Sequence, residues 1–223
     1  VTEARNALRA DSTEVEAVQI PMADPHHVAK YLSLIDHETV DGVAVMAPES
    51  PQVRDALVRL MERGVRVVQF LSGQERLESA DYVGIDNVAA GATAGKIAGR
   101  FIGNRAGKIM VVAETMMALD SIERRLGFDG IINAQFPQLQ CLPSLETYAD
   151  EKRAELIIHR TLQHNPDTLA VYVLSSEARA PLTAVWNAQG SRQLTVIAHE
   201  RTPFSERALM EERIDALIAQ DPG

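Results

Sequence analysis

The chain has 223 residues, enough for one large α/β domain or for two lobes of about a hundred residues each. Hydrophobic residues make up 46 % and charged residues 24 %, the balance of a globular domain. A net charge of −9 makes the chain a poor electrostatic partner for DNA, RNA or an anionic membrane surface, and its single cysteine, Cys141, excludes an intrachain disulfide and a cysteine metal cluster.

No apolar run approaches the roughly 20 residues of a membrane span. The opening residues Val1 to Ala10 carry Glu3, Arg5 and Arg9 and lack the apolar core of a signal peptide. They read as a helix over 1–10, followed by a strand at 15–20 and a helix at 24–36 whose start holds His26 and His27, both solvated. Asp41-Gly42-Val43-Ala44-Val45-Met46 opens a buried strand at 42–47. Ser50 then caps a helix at 51–63, with Pro51 at its first position, Val53, Leu57, Leu60 and Met61 on one face, and Gly64 past its end. With the next strand at 65–71 this forms a strand–helix–strand unit, which a right-handed crossover should close.

The unit recurs. Further strands are predicted at 82–85, 108–113, 139–145, 168–174, 194–198 and 214–219, and helices at 87–103, 120–135, 149–163, 176–188 and 204–212. Continuous apolar strands separated by helices imply an α/β protein with parallel sheets covered on both faces. The glycine-flanked segment Gly103-Asn104-Arg105-Ala106-Gly107 suggests a boundary between an N-terminal lobe, 1–104, and a C-terminal lobe, 105–223. The chain opens in a helix with no strand before it and closes just after a strand, so a first strand and a final helix are expected to be missing.

Parallel sheets present ligand-binding residues at the carboxyl ends of their strands. Asp86 and Asn87 follow the apolar run ending at Ile85; Asp86 can accept hydrogen bonds from ligand hydroxyls or cap the next helix, and spacing alone favours the cap. Gly91, Gly95 and Gly99 recur inside that helix, a pattern of close packing rather than a dinucleotide fingerprint. Glu114 opens the loop after the strand at 108–113, and Met116-Met117 within it can form an adaptable apolar wall or simply pack. Of the adjacent Arg124 and Arg125, one can reach a ligand while the other is solvated, since both cannot face the same way. Ser175, Ser176 and Glu177 sit at another strand end, where capping and ligand contact are equally open. His199-Glu200 is a candidate acid–base or metal pair, but adjacent loop residues point apart and no other histidine has ligand spacing, so no metal site is expected. Cys141 reads as a core residue, and there is neither a nucleophile elbow nor a phosphate loop.

Five segments in order resemble the effector-binding domain of the lactose-repressor family of bacterial transcription regulators, which is similar in fold to type I periplasmic sugar-binding proteins. They are Asp41 to Val45, Gly64 to Val68 (with Arg66 in place of the usual proline), Val83 to Gly91, Arg124-x-x-Gly127-Phe128, and Ala216 to Gln220. Together they span essentially the whole chain. The resemblance implies two similar lobes that close on a ligand like a hinged clamp. It also implies a cleft whose arginine is Arg124, whose acid is Asp86 and whose hinge glutamine is Gln220. The set of expected ligand-binding residues is Ser72, Asp86, Glu114, Arg124, Ser176, Glu177, His199 and Gln220. Ser175-Ser176-Glu177 departs from the family's Asn-Asp, His199-Glu200 from its aspartate, and the Leu71-Ser72-Gly73 loop lacks the acid many sugar binders carry.

The leading expectation is a non-enzymatic, cytoplasmic sensor domain without a cofactor. It binds a small sugar-like effector, forms a homodimer, avoids membranes, and meets DNA only through an absent helix-turn-helix domain. Arg124→Ala is expected to abolish binding and spare thermal stability. The alternative is a periplasmic solute-binding protein of an ABC sugar importer. An α/β enzyme is a third class, for which no catalytic constellation is visible.

Overall fold

The computed structural model describes residues 13–20, 24–71, 73–74, 77, 79–175 and 177–220. The helix predicted at 1–10 lies outside them. Two parallel sheets organise the rest. The first contains β1 (Gly42–Val45), β2 (Arg66–Phe70) and β3 (Asp81–Val83) in the order β1-β2-β3, accompanied by α1 (Pro25–Ser33) and α2 (Pro51–Glu62). Both helices start as their sequences dictate. The Asp24 carboxylate accepts the backbone N–H groups of His26 and His27, and the Ser50 hydroxyl accepts that of Val53. Val28, Leu32, Val53, Leu57, Leu60 and Val67 form the core beside this sheet.

The second unit runs α3 (Asn87–Ile102), β4 (Gly107–Ala113), α4 (Leu119–Gln135), β5 (Leu139–Cys141), β6 (Leu145–Glu146), α5 (Glu151–His164), β7 (Thr168–Val173), α6 (Arg179–Ala188), β8 (Thr195–His199), α7 (Pro203–Met210) and β9 (Ala216–Ile218). Its strands lie in the order β5-β4-β7-β8-β9, with β6 also on β4, and every pairing is parallel. Strand alternation splits the apolar side chains between two faces. Ile109, Val111, Tyr172 and Ile197 meet α3 and α4 through Ala94, Ala98, Phe128 and Ile132. Met110, Val112, Val171, Val173 and Val196 meet α5, α6 and α7 through Ile158, Leu162, Leu182, Val185 and Ala208. The α/β class with helix-flanked parallel sheets is therefore as expected.

Three expectations differ. Residues 13–20 form no strand, because no ladder takes them up: among the described residues β1 pairs only with β2, and Ile20 merely rests against the first core. The strand predicted at 139–145 divides into β5 and β6, since Pro143, which has no N–H for a ladder, falls between them. The division at residues 104 and 105 is not where the packing changes. Helix α3 buries Ala94, Ala98 and Ile102 in the second unit, so the chain passes from one sheet to the other between Val83 and Asn87. Gly103, with φ of 69°, is the turn that ends α3 and feeds β4 within that unit.

Candidate functional site

The carboxyl ends of β4, β7, β8 and β9 converge near the start of α4. Helices α3 and α4 cross there at backbone contact. A Cβ on Gly91 would collide with the Arg124 carbonyl, and one on Gly127 with the Val88 carbonyl. Only glycine permits this approach, which explains both the glycine stripe of α3 and the glycine three residues after Arg124. The crossing places Arg124 against Asn87, the first residue of α3. Arg124 is only 2 % exposed. Its Nε donates to Asn87 Oδ1 at 3.0 Å, Nη1 to the Leu174 carbonyl at the end of β7 at 2.8 Å, and Nη2 to Glu200 Oε1 at 3.1 Å. The Asp120 carboxylate stands 3.8 Å away on the same helix.

Glu200 directly follows β8 with φ of 65°, a left-handed conformation that turns its side chain back over the sheet end. Its Oε1 accepts from Arg124 and also from Gln220 Nε2, beyond β9. The Glu200 side chain keeps 19 % exposure, so the ion pair is reachable from one side. His199 points the other way, into the core. It is fully buried, its Nε2 lies 2.6 Å from the Tyr172 hydroxyl, and Tyr172 stacks on Phe128. Burial, and secondarily the Arg124 charge, pushes its pKa down from 6.5 to about 3, so the ring is neutral. Two buried polar atoms at these strand ends, Ser175 Oγ and His199 Nδ1, find no hydrogen-bond partner among the described residues.

The first sheet contributes Tyr82 of β3. Its hydroxyl donates to the Leu71 carbonyl at 3.1 Å, and burial first, then the charges of Glu123 and Asp120 on α4, raises its phenol above its ordinary value. Glu123 is raised as well, by burial first, while its hydrogen bond from Asn87 opposes the shift. Among the described residues no group of three or more His, Cys, Asp or Glu side chains could hold a metal ion, and no helix is long and apolar enough to cross a membrane.

The structure brings Arg124 and Gln220 together, through Glu200. It does not do so for every expected residue. Asp86 is spent as the cap of α3, its Oδ1 accepting the Ala89 N–H at 2.8 Å. Glu177 accepts the Arg179 N–H at the start of α6 instead of joining the Arg124 network. His199 is a core residue beneath the site. Glu114 lies half-buried at the end of β4, and its carbonyl accepts the Tyr148 N–H. Ser72 and Ser176 lie outside the described residues. The expected ligand-binding set omitted Asn87 and Glu200, although Asn87 was placed at a strand end and Glu200 in a candidate acid–base or metal pair. Each stands beside a residue that was singled out, and the strand-end rule that found Asp86 and His199 applies equally to them.

A family model described as a periplasmic binding protein domain matches residues 4–223. The ribose import binding protein of Escherichia coli (strain K12) is 24 % identical over 200 residues, covering 87 % of this chain and 66 % of that protein. The chain therefore spans a little under two thirds of the length of that relative. Among solved structures, an ABC transporter solute-binding protein from Burkholderia graminis in complex with D-arabinose superposes with a TM-score of 0.85 at 21 % identity, over 98 % of this chain and 76 % of that one. One from Agrobacterium vitis bound to α-D-tagatopyranose does so with a TM-score of 0.85 at 20 % identity, over 99 % and 77 %. These relatives correct the expectation of a cytoplasmic transcription regulator acting on DNA: they are import binding proteins of a periplasmic family, and the lactose-repressor assignment gives way to the broader one.

Proposed function

The chain belongs to the periplasmic-binding-protein family, and from that premise we propose that it binds a small sugar as the solute-binding component of an ABC importer. The observation that carries this reading is the Arg124–Glu200–Gln220 cluster at the carboxyl ends of the second sheet. The part-exposed Glu200 carboxylate, held by the buried Arg124 guanidinium, and the Gln220 amide offer fixed acceptors and donors to vicinal hydroxyls. Preorganised polar groups of this kind bind without a further ordering cost. The two sheets act as the lobes of a clamp, with Tyr82 facing the cluster from the first, and the bound sugar favours the closed state in proportion to its differential affinity. The ribose, arabinose and tagatose named for the relatives set the first compounds to try.

A thermal-shift screen of pentoses, hexoses and polyols tests the reading. A ligand at a hundred times its Kd adds about 2.7 kcal/mol to the native state. At least one sugar should raise the unfolding temperature saturably, and Gln220→Ala should reduce that response while leaving the unliganded unfolding temperature nearly unchanged. A panel without a single saturable shift overturns the proposal.

A further inference from the structure

At the opposite, amino-terminal edge of the second sheet lies a cavity of about 510 Å³ that the sugar reading does not use. It opens where β8 and β9 begin, lined by Arg105, Arg192, Arg213, Trp186 and Leu194. We propose that this cavity is a second binding site, for a small molecule carrying a phosphate group.

Three guanidinium groups reach it, and none forms an ion pair among the described residues. Each is held in place by one interaction that leaves other donors free. Arg105 Nε donates to the Ile102 carbonyl at 3.1 Å, and Arg192 Nη1 to the Leu162 carbonyl at 2.9 Å. The Arg213 guanidinium lies 3.4 Å from the centre of the Trp186 ring, while the Trp186 indole donates to the Arg213 carbonyl at 3.1 Å. Two acids also line the cavity, neither within ion-pair distance of these cations. Asp215 accepts the Val196 N–H at 2.7 Å, and Glu212 forms no ion pair with any of the three. Positioned arginines with unused N–H groups match the oxygens of a phosphate, which takes parallel hydrogen bonds from a guanidinium fork. The volume falls within the range of about 300–1,000 Å³ that small-molecule sites occupy. Three arginines against two acids leave the lining with a net positive charge on a chain whose net charge is −9.

Trp186 is the chain's one tryptophan, so its fluorescence reads this cavity directly. Titrating the full chain with pyrophosphate at low ionic strength should give a saturable change in tryptophan emission. Arg105→Gln and Arg192→Gln should each weaken that response by about tenfold or more, with far-UV circular dichroism unchanged. Arg105 is the more exposed of the two and keeps the test decisive if Arg192→Gln unfolds. The absence of a saturable change, an equal response in the variants, or the same response to sodium chloride at matched ionic strength overturns the proposal.

Discussion

Arg124 shows how far burial alters the meaning of a single residue. Read from the sequence it is a cleft arginine whose loss spares stability; in the fold its guanidinium is 2 % exposed and its nitrogens bond to Asn87, Leu174 and Glu200. Removing one partner of a buried ion pair strands the other and costs about 3–5 kcal/mol. Arg124→Ala should therefore lose about that much stability in urea as well as sugar affinity, and an unchanged urea midpoint would contradict the paired geometry. His199 gives a prediction in pH. Its folded pKa of about 3 lies below its ordinary 6.5, so between those values the unfolded chain binds a proton that the native chain excludes. Stability then falls as pH drops below 6.5, by up to about 1.4 kcal/mol per pH unit for the one proton. His199→Gln should flatten that slope; an equal slope in the variant assigns the acid sensitivity elsewhere. Cys141 completes the residue scale. Burial first, and the neighbouring Asp129 next, raise its thiol to about 12, so the chain should react only slowly with a disulfide reagent at pH 8 until it is unfolded.

At the scale of elements, the closest fit is the crossing of α3 and α4. Glycine inside a helix ordinarily weakens it by about 0.5–1 kcal/mol relative to alanine. Gly130, exposed on α4 with nothing near its missing side chain, should follow that rule, and Gly130→Ala should stabilise. Gly91→Ala and Gly127→Ala meet backbone carbonyls across the crossing and should instead destabilise by about 1–3 kcal/mol. Thermal unfolding of the three variants separates the cases, and stabilisation at Gly91 would refute the close approach. The packing role of Gly91, Gly95 and Gly99 was legible because a four-residue repeat of small residues marks one helix face. Most strands were legible as well, since a β-branched run between helices admits few other readings. That the predicted strand at 15–20 does not form was not, because a strand exists only with a partner and the partner is a tertiary fact. Nor was the true change of sheet between Val83 and Asn87. A Gly-Asn-Arg-Ala-Gly stretch reads the same whether it separates lobes or merely turns a helix into the next strand. Glu200 was legible only as half of a His–Glu pair at a strand end; the left-handed backbone that turns it toward Arg124 and Gln220 leaves no mark in the sequence at a non-glycine residue.

At the scale of the molecule, the two sheets carry separate cores of unequal size. Val28, Leu32, Val53, Leu57 and Leu60 serve three strands and two helices, whereas the second sheet is packed on both faces. A smaller unit buries a smaller fraction of its surface and is the less stable. Denaturation should accordingly depart from two-state behaviour, with the first unit melting at lower denaturant. Trp186 packs against the outer core of the second sheet and reports on that unit alone, whereas far-UV circular dichroism reports on both. The fluorescence midpoint should therefore lie above the dichroism midpoint. A sugar bridging Arg124 and Glu200 of the second unit to Tyr82 of the first would add its binding energy only while both remain folded. It should therefore draw the two curves together. Coincident curves without ligand would make the chain a single cooperative unfolding unit. Curves that stay apart in a sugar that raises the second midpoint would confine binding to the second sheet.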